Sequence, residues 1–327
     1  MRLSPRLLIV ILSAAMLAFG LAACGDDEGG DSTSEGEATS SASGELIEND
    51  PANADTTVTI GSKNFTEQYI LGNVYVQALE AAGFDVKAEL DLGSEQIAHK
   101  AVLDGQIDGY PEYTGTSLTS FFGYKTDEVP TDETEAYELT KEEYEKEGIT
   151  ALAPAPFDNT YVVASTPETA EEIGNPETLS ELSEVEGVDQ MSIAGFPECR
   201  QRTDCLLGLE EVYGWTPKFI SNEGKYEPLD NDQSDFAFGF GTDGELSLDK
   251  YTTYEDDLGL FPPYNPVMTM RDDAVEAIGP EGVEVIERVQ EPMTEEVMRE
   301  LNARVDLDKQ KPEEVATQYL QEAGFIE

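Results

Sequence analysis

Four aromatic side chains adjoin turn residues instead of lying within apolar stripes. They are Tyr113 in Pro111-Glu-Tyr-Thr-Gly-Thr116, Tyr161 in Asp158-Asn-Thr-Tyr161, Phe240 before a Gly-rich loop, and Tyr264 in Leu260-Phe-Pro-Pro-Tyr-Asn265. The face of an aromatic ring carries negative potential, so four rings on strand-end loops are able to close around a cation. The same placement also suits rings that pack their bodies and expose a hydroxyl. On pattern alone the second reading is the stronger.

Other chemistries lack their parts. His99 is the only histidine in the chain and is assigned no role. A catalytic Ser or Cys would have no second imidazole to activate it, and no G-x-S-x-G elbow occurs. Gly239-Phe-Gly-Thr-Asp-Gly244 fits the pattern G-x-G-x-x-G, but it lies late in the chain with no convincing helix behind it. Carboxylate pairs abound only because carboxylates abound, so no glycosidase pair follows. No enzyme, cofactor or metal is expected. The chain carries 69 acidic against 19 basic side chains, a formal net charge of -50. That excludes nucleic acid as a partner, since phosphates require Lys and Arg in excess.

The N-terminus predicts export. Arg2 and Arg6 precede an apolar run from Leu7 to Gly20, and Leu21-Ala-Ala-Cys24 reads as a small-residue cleavage site ending on cysteine. Residues 1–23 are thus expected to be a lipoprotein signal peptide, with Cys24 lipidated. Residues 24–55 are expected to be an acidic Gly/Ser-rich tether, too poor in apolar residues to fold, so that the folded part begins near Thr56. Outside the cytoplasm, Cys199 and Cys205 are expected to form a disulfide closing a small loop.

The elements that must position the four rings follow an α/β grammar. A strand with Val58 and Ile60 on one face leads through Ser62-Lys63-Asn64 into a helix from Thr66. That helix carries an apolar stripe of Ile70, Leu71, Val74, Tyr75, Ala78, Leu79 and Ala82. Further strands are expected at Phe84–Leu90, Ile107–Tyr110, Ile149–Pro154, Asn159–Ala164, Met191–Gly195, Lys218–Ser221, Asp235–Phe240 and Val267–Arg271, with helices between and after them. In open α/β sheets ligands sit at the carboxyl ends of strands, so the strand-end loops are where a site is expected.

Six stretches, in order, resemble the glycine betaine/choline-binding proteins of osmoprotectant ABC importers. They are Ile60–Gln68 (Ile-Gly-Ser-Lys-Asn-Phe-Thr-Glu-Gln), Gly109–Thr116, Asp158–Tyr161, Thr242–Gly244, Leu260–Asn265 and Leu301–Val305. Together they span the folded part. The resemblance implies a type II periplasmic-binding-protein fold, in which two α/β lobes joined by two crossing segments close on ligand in the cleft. Lobe 1 would be residues 56–160 plus 266–327, and lobe 2 residues 161–265.

The resemblance also implies an aromatic cage for a quaternary ammonium group, with walls Tyr113, Tyr161, Phe240 and Tyr264 and a backbone carbonyl from Asn159. A ligand carboxylate would be held by Lys63, Thr116 and Arg202. Lys63 lies just before a helix N-terminus, where free N–H groups and the dipole favour an anion. Arg202 lies inside the loop between Cys199 and Cys205, with Arg200 as its rival. Phe240 stands where the family usually carries Tyr. Glu95 and Gln96 stand where relatives often carry small polar residues.

The implied function is that of a lipid-anchored extracytoplasmic solute-binding protein of an ABC importer, taking glycine betaine or a related quaternary ammonium osmolyte. Its partners would be an ABC permease and its ATPase, with the membrane reached through Cys24. The alternatives are choline or carnitine uptake, and a surface lipoprotein or sensor that uses the same lobes without transport.

Overall fold

A computed structural model describes residues 45–222, 224–248 and 250–327; the signal peptide, Cys24 and the first part of the tether lie outside them. The alternating Val58 and Ile60 form β1 (Thr57–Gly61), and both are buried. It feeds α1 (Thr66–Ala81), and every member of the expected stripe is buried, the last, Ala82, as the helix C-cap. Gly83 ends this helix at φ +99°, and a Cβ there would meet Asp50 O at 2.5 Å.

β2 (Asp85–Glu89), α2 (Glu95–Leu103), β3 (Gly109–Tyr113), α3 (Glu133–Glu145) and β4 (Ile149–Pro154) follow. The second lobe contains β5 (Tyr161–Ser165), β6 (Ser192–Gly195), α4 (Leu206–Tyr213), β7 (Lys218–Ser221), β8 (Phe236–Phe240) and β9 (Thr252–Tyr254). The chain then returns through β10 (Pro266–Arg271), α5 (Asp272–Gln290), α6 (Glu295–Asp306) and α7 (Pro312–Glu322). β9 is not among the expected strands, and several ends differ by one residue; the larger differences are that β3 starts and ends later and that β5 begins at Tyr161. Both shifts place a tyrosine at a strand end.

The first sheet has the order β2-β1-β3-β10-β4 and the second β7-β6-β8-β5-β9. In each, one central strand runs antiparallel to its neighbours, β10 in the first and β5 in the second. Each of these arrives from the other lobe, β5 across residues 155–160 and β10 across residues 255–265. The carboxyl ends of β1, β3, β6 and β8 and the starts of β5 and β10 therefore open on the same cleft. This is the two-lobed α/β architecture that the resemblance implies.

The lobes have separate cores. α1 packs with Met268, Met270, Ile286, Val289 and Leu320 in the first, and Trp215 with Phe236, Val163, Ile193 and Leu209 fills the second. Each fully buried Leu, Ile or Val among them contributes about 1.5–3 kcal/mol of transfer free energy.

The expected tether runs too far into the chain. Residues 45–55 pack on the first lobe: Ile47 is buried, and its N–H donates to Phe325 O at 2.9 Å. The Asp50 N–H donates to Ala82 O at 3.1 Å, and its carboxylate caps the short turn Pro51–Asp55. A stretch poor in apolar residues docks here because one isoleucine and a cap supply the contacts that composition alone discounts. Among the described residues, no helix is long and apolar enough to cross a membrane.

Candidate ligand cleft

A cleft of about 1090 Å³ opens between the two sheets, and all eight residues expected to bind ligand line it. Its second-lobe end is aromatic. Tyr161 starts β5 and pairs in register with Phe240 at the end of β8, which brings their rings to 4.7 Å. Tyr264, from the returning crossing segment, stands perpendicular to Tyr161 at 5.7 Å. Phe196, just past β6, stacks against Tyr161 at 6.0 Å and against Phe240 at 6.2 Å. Gly115 permits the close approach of Tyr264, since a Cβ there would lie 3.0 Å from its Cε1.

Arg202 reaches this aromatic end. Its guanidinium lies 5.7 Å from the Tyr161 ring centroid, and its Nη2 donates to the Tyr264 hydroxyl at 3.2 Å. Asp204 orients it, accepting from Nε at 2.7 Å and also from Nη2. The Tyr264 hydroxyl donates to the same carboxylate. Burial opposes the charge on Arg202, but Asp204, Tyr161 and Tyr264 together outweigh it and raise the pKa above its ordinary value. Cys199 and Cys205 are joined as a disulfide with Cα atoms 5.3 Å apart. This bounds the loop that carries the guanidinium. Arg200 is exposed and lies over Phe219 at 4.9 Å, outside the cleft lining. It is Arg202 that faces the cleft.

The first-lobe end is built differently. Tyr113 ends β3, and the Lys63 ammonium lies 4.5 Å from its ring centroid. That ammonium is already engaged by Glu112, with both side chains buried. Glu112 also accepts from the Tyr110 hydroxyl at 3.1 Å and the Tyr113 N–H at 2.8 Å. Burial raises the Glu112 carboxyl above the usual range, and Lys63 offsets only part of that rise. Lys63 was expected to keep its charge for an anion at the helix N-terminus; its observed partner is an internal carboxylate. Thr116 is buried in the turn after Tyr113. Asn159 donates its side-chain amide to Glu67 at 3.0 Å, and its Oδ1 is buried without a hydrogen-bond partner.

Four residues important to this geometry escaped the sequence reading. Glu67 and Glu112 organise the first-lobe wall, Asp204 orients Arg202, and Phe196 extends the aromatic surface. Glu95 lines the cleft, whereas Gln96 does not and instead donates to Ser120 O at 3.1 Å. The Gly-rich match at 239–244 closes β8 and enters a short turn, Gly244–Ser247, with no nucleotide-binding helix behind it. Such a cleft offers π faces, one oriented guanidinium and a buried carboxylate, a set suited to binding a small zwitterion or cation.

Residues 56–322 match the family described as the substrate binding domain of ABC-type glycine betaine transport systems. A glycine-betaine-binding protein of Pseudomonas aeruginosa is 33% identical over 285 residues, covering 83% of this chain and 89% of that one. The glycine betaine-binding protein YehZ of Escherichia coli is 27% identical over 287 residues, covering 84% and 93% respectively. Among solved structures, a glycine betaine/carnitine/choline ABC transporter protein superposes with a TM-score of 0.70 at 24% identity. That superposition covers 81% of this chain and 97% of the other.

Proposed function

We propose that this chain, which belongs to the family of substrate-binding domains of ABC-type glycine betaine transport systems, captures glycine betaine or a close trimethylammonium relative in its cleft. The family is one of transport binding proteins and not of enzymes. The observation that carries the reading is the convergence of Tyr161, Phe240 and Tyr264, with ring pairs at 4.7 and 5.7 Å, beside the Arg202 guanidinium at 5.7 Å from the Tyr161 ring.

A trimethylammonium group has no N–H to donate, so hydrogen-bond acceptors give it little, whereas each well-placed desolvated ring contributes about 0.5–2 kcal/mol. Tyr113 supplies the wall from the first lobe. Asn159, on the crossing segment, adds the dipole of its backbone carbonyl to the cage wall. At the opposite end of the ligand, Arg202 and Thr116 hold the carboxylate by charge-assisted bonds. Lys63 contributes only the N–H groups that Glu112 leaves to it. Because both lobes supply walls, ligand favours the closed state that a permease and its ATPase would recognise.

Anchoring through a lipid on Cys24, outside the cytoplasm, belongs to the same proposal and rests on Leu21-Ala-Ala-Cys24 after an apolar run. Metabolic labelling of the expressed chain with a radioactive fatty acid tests it, label in wild type and none in Cys24→Ala being expected. Calorimetric titration of the full chain with glycine betaine, and separately with choline, tests the ligand. Binding of betaine ahead of choline is expected. Choline ahead of betaine would keep the cage but move the function to choline uptake, and binding of neither would remove the cage.

A further inference from the structure

Glu67 lies in the first turn of α1 and is 2% exposed. Its Oε1 accepts from the Tyr113 hydroxyl at 2.7 Å and the Asn159 amide at 3.0 Å. Its Oε2 accepts from the Thr242 hydroxyl at 2.5 Å and the Asn302 amide at 3.0 Å. Among the described residues, no Lys or Arg pairs with it. A buried carboxylate without a cationic partner is unfavourable unless its lone pairs are satisfied. Here four neutral donors and the helix N-terminus satisfy them.

The four donors come from separate parts of the chain. Tyr113 is the first-lobe wall of the cleft, and Asn159 lies on a crossing segment. Thr242 follows Phe240, a second-lobe wall, by two residues. Asn302 sits on α6 and also donates to Thr242 O at 2.8 Å. Nearby, Arg299 donates from Nε and Nη2 to Gly241 O at 3.0 and 2.7 Å. One oxygen of Glu67 thus fixes the Tyr113 ring through its hydroxyl. The other ties down the loop that begins at Phe240.

We propose that Glu67 is a positioning residue that sets the spacing between the Tyr113 and Phe240 walls, by binding the Tyr113 hydroxyl with one carboxylate oxygen and Thr242 with the other. The proposal rests on the trimethylammonium reading above. It makes Glu67 act on the cationic end of any such ligand whatever the opposite end carries. An alternative role as a free counter-charge would need only the negative charge. A positioning role needs the full reach of the glutamate side chain, which Asp lacks by one methylene.

The test is calorimetric titration of the full chain and its variants with glycine betaine and with choline, alongside melting temperatures. Glu67→Gln is expected to weaken both ligands equally, by about tenfold to a hundredfold, the range for losing hydrogen bonds to a buried charged group. Glu67→Asp is expected to lose as much. Tyr113→Phe is expected to weaken both ligands alone and to add nothing on top of Glu67→Gln, because hydroxyl and carboxylate act as one unit. Thr242→Val, which keeps Glu67 in place, is expected to weaken both ligands with a smaller change in melting temperature.

Unchanged affinity in Glu67→Gln and Thr242→Val, with only a lower melting temperature, would show a merely structural role and overturn the proposal. Wild-type affinity in Glu67→Asp would assign the effect to charge and overturn it too, as would strictly additive losses in the Glu67/Tyr113 cycle. A wild-type chain that bound neither ligand would fail differently, since the trimethylammonium reading itself would fall and take this proposal with it.

Discussion

The two ends of the cleft hold the same kinds of parts in different states. At the first-lobe end, the Lys63 side chain is 6% exposed and ion-paired to Glu112, which is fully buried. At the second-lobe end, Arg202 is also paired, to Asp204, but its side chain remains 23% exposed. A guanidinium has five donors in a fixed fork, so two can be spent on Asp204 while others face the cleft. An ammonium buried against one carboxylate is a structural charge first. The comparison teaches that a cation in a binding cleft is read by its partner and exposure and not by its loop position. The second-lobe end keeps guanidinium donors open to the cleft, and the first spends its ammonium on an internal carboxylate.

The sharpest way to break this comparison is to remove each cation in turn. Lys63→Ala strands the Glu112 carboxylate and is expected to destabilise the fold by about 3–5 kcal/mol. The double variant Lys63→Met/Glu112→Gln is expected to recover most of that loss in a denaturant titration. No recovery would mean that the pair is not the reason for the loss. Arg202→Ala is expected to weaken glycine betaine by about thirtyfold or more through the lost charge-assisted bonds, the scale being about 2–3 kcal/mol. Its effect on choline, which has no carboxylate, is expected to be slight. Equal losses for both ligands would remove the carboxylate role of Arg202.

The aromatic end responds to a different change. Tyr161→Ala removes a ring that faces Phe240, Tyr264 and Phe196. It is expected to weaken betaine and choline alike by about tenfold, the scale of one desolvated cation–π contact. A loss confined to betaine in the same titration would place the trimethylammonium group elsewhere.

A separate effect, on stability and not on binding, concerns the crossing segment. Asp158 accepts the Tyr264 N–H at 2.7 Å, and burial pushes its carboxyl up to about 7. Since the folded value lies above the unfolded one, its contribution to stability is full below about pH 4 and is lost as pH rises through about 7. Asp158→Asn keeps the acceptor without the titration. Melting temperatures of wild type and variant are therefore expected to separate as pH rises from 5 to 8, with the variant the higher. Parallel curves would contradict the burial of that charge.

Much of this was readable in the residues because the local signals were strong. The α1 stripe and the rings beside turn residues identify a helix face and strand-end loops without any partner. The reading overshot at residues 45–55, where composition is polar and a single Ile47 makes the contact. It also missed the Lys63–Glu112 pair, which depends on register: Ile60 pairs with Gly109, so residues three further along each strand arrive together. Glu67 was unreadable for the same reason in stronger form. Its partners Thr242 and Asn302 lie 175 and 235 positions away, and only the folded chain brings them to one carboxylate. The signal that pointed there was that Glu67 and all four donors fall inside stretches singled out for their resemblance.

The most direct test of the central claim is the ratio of glycine betaine to choline affinity, measured by calorimetry on the full wild-type chain and on Arg202→Ala. A ratio favouring betaine in wild type that collapses by about thirtyfold in the variant, with choline binding retained, is the predicted result. A ratio that stays the same in both proteins would contradict it, leaving the oriented guanidinium without a ligand.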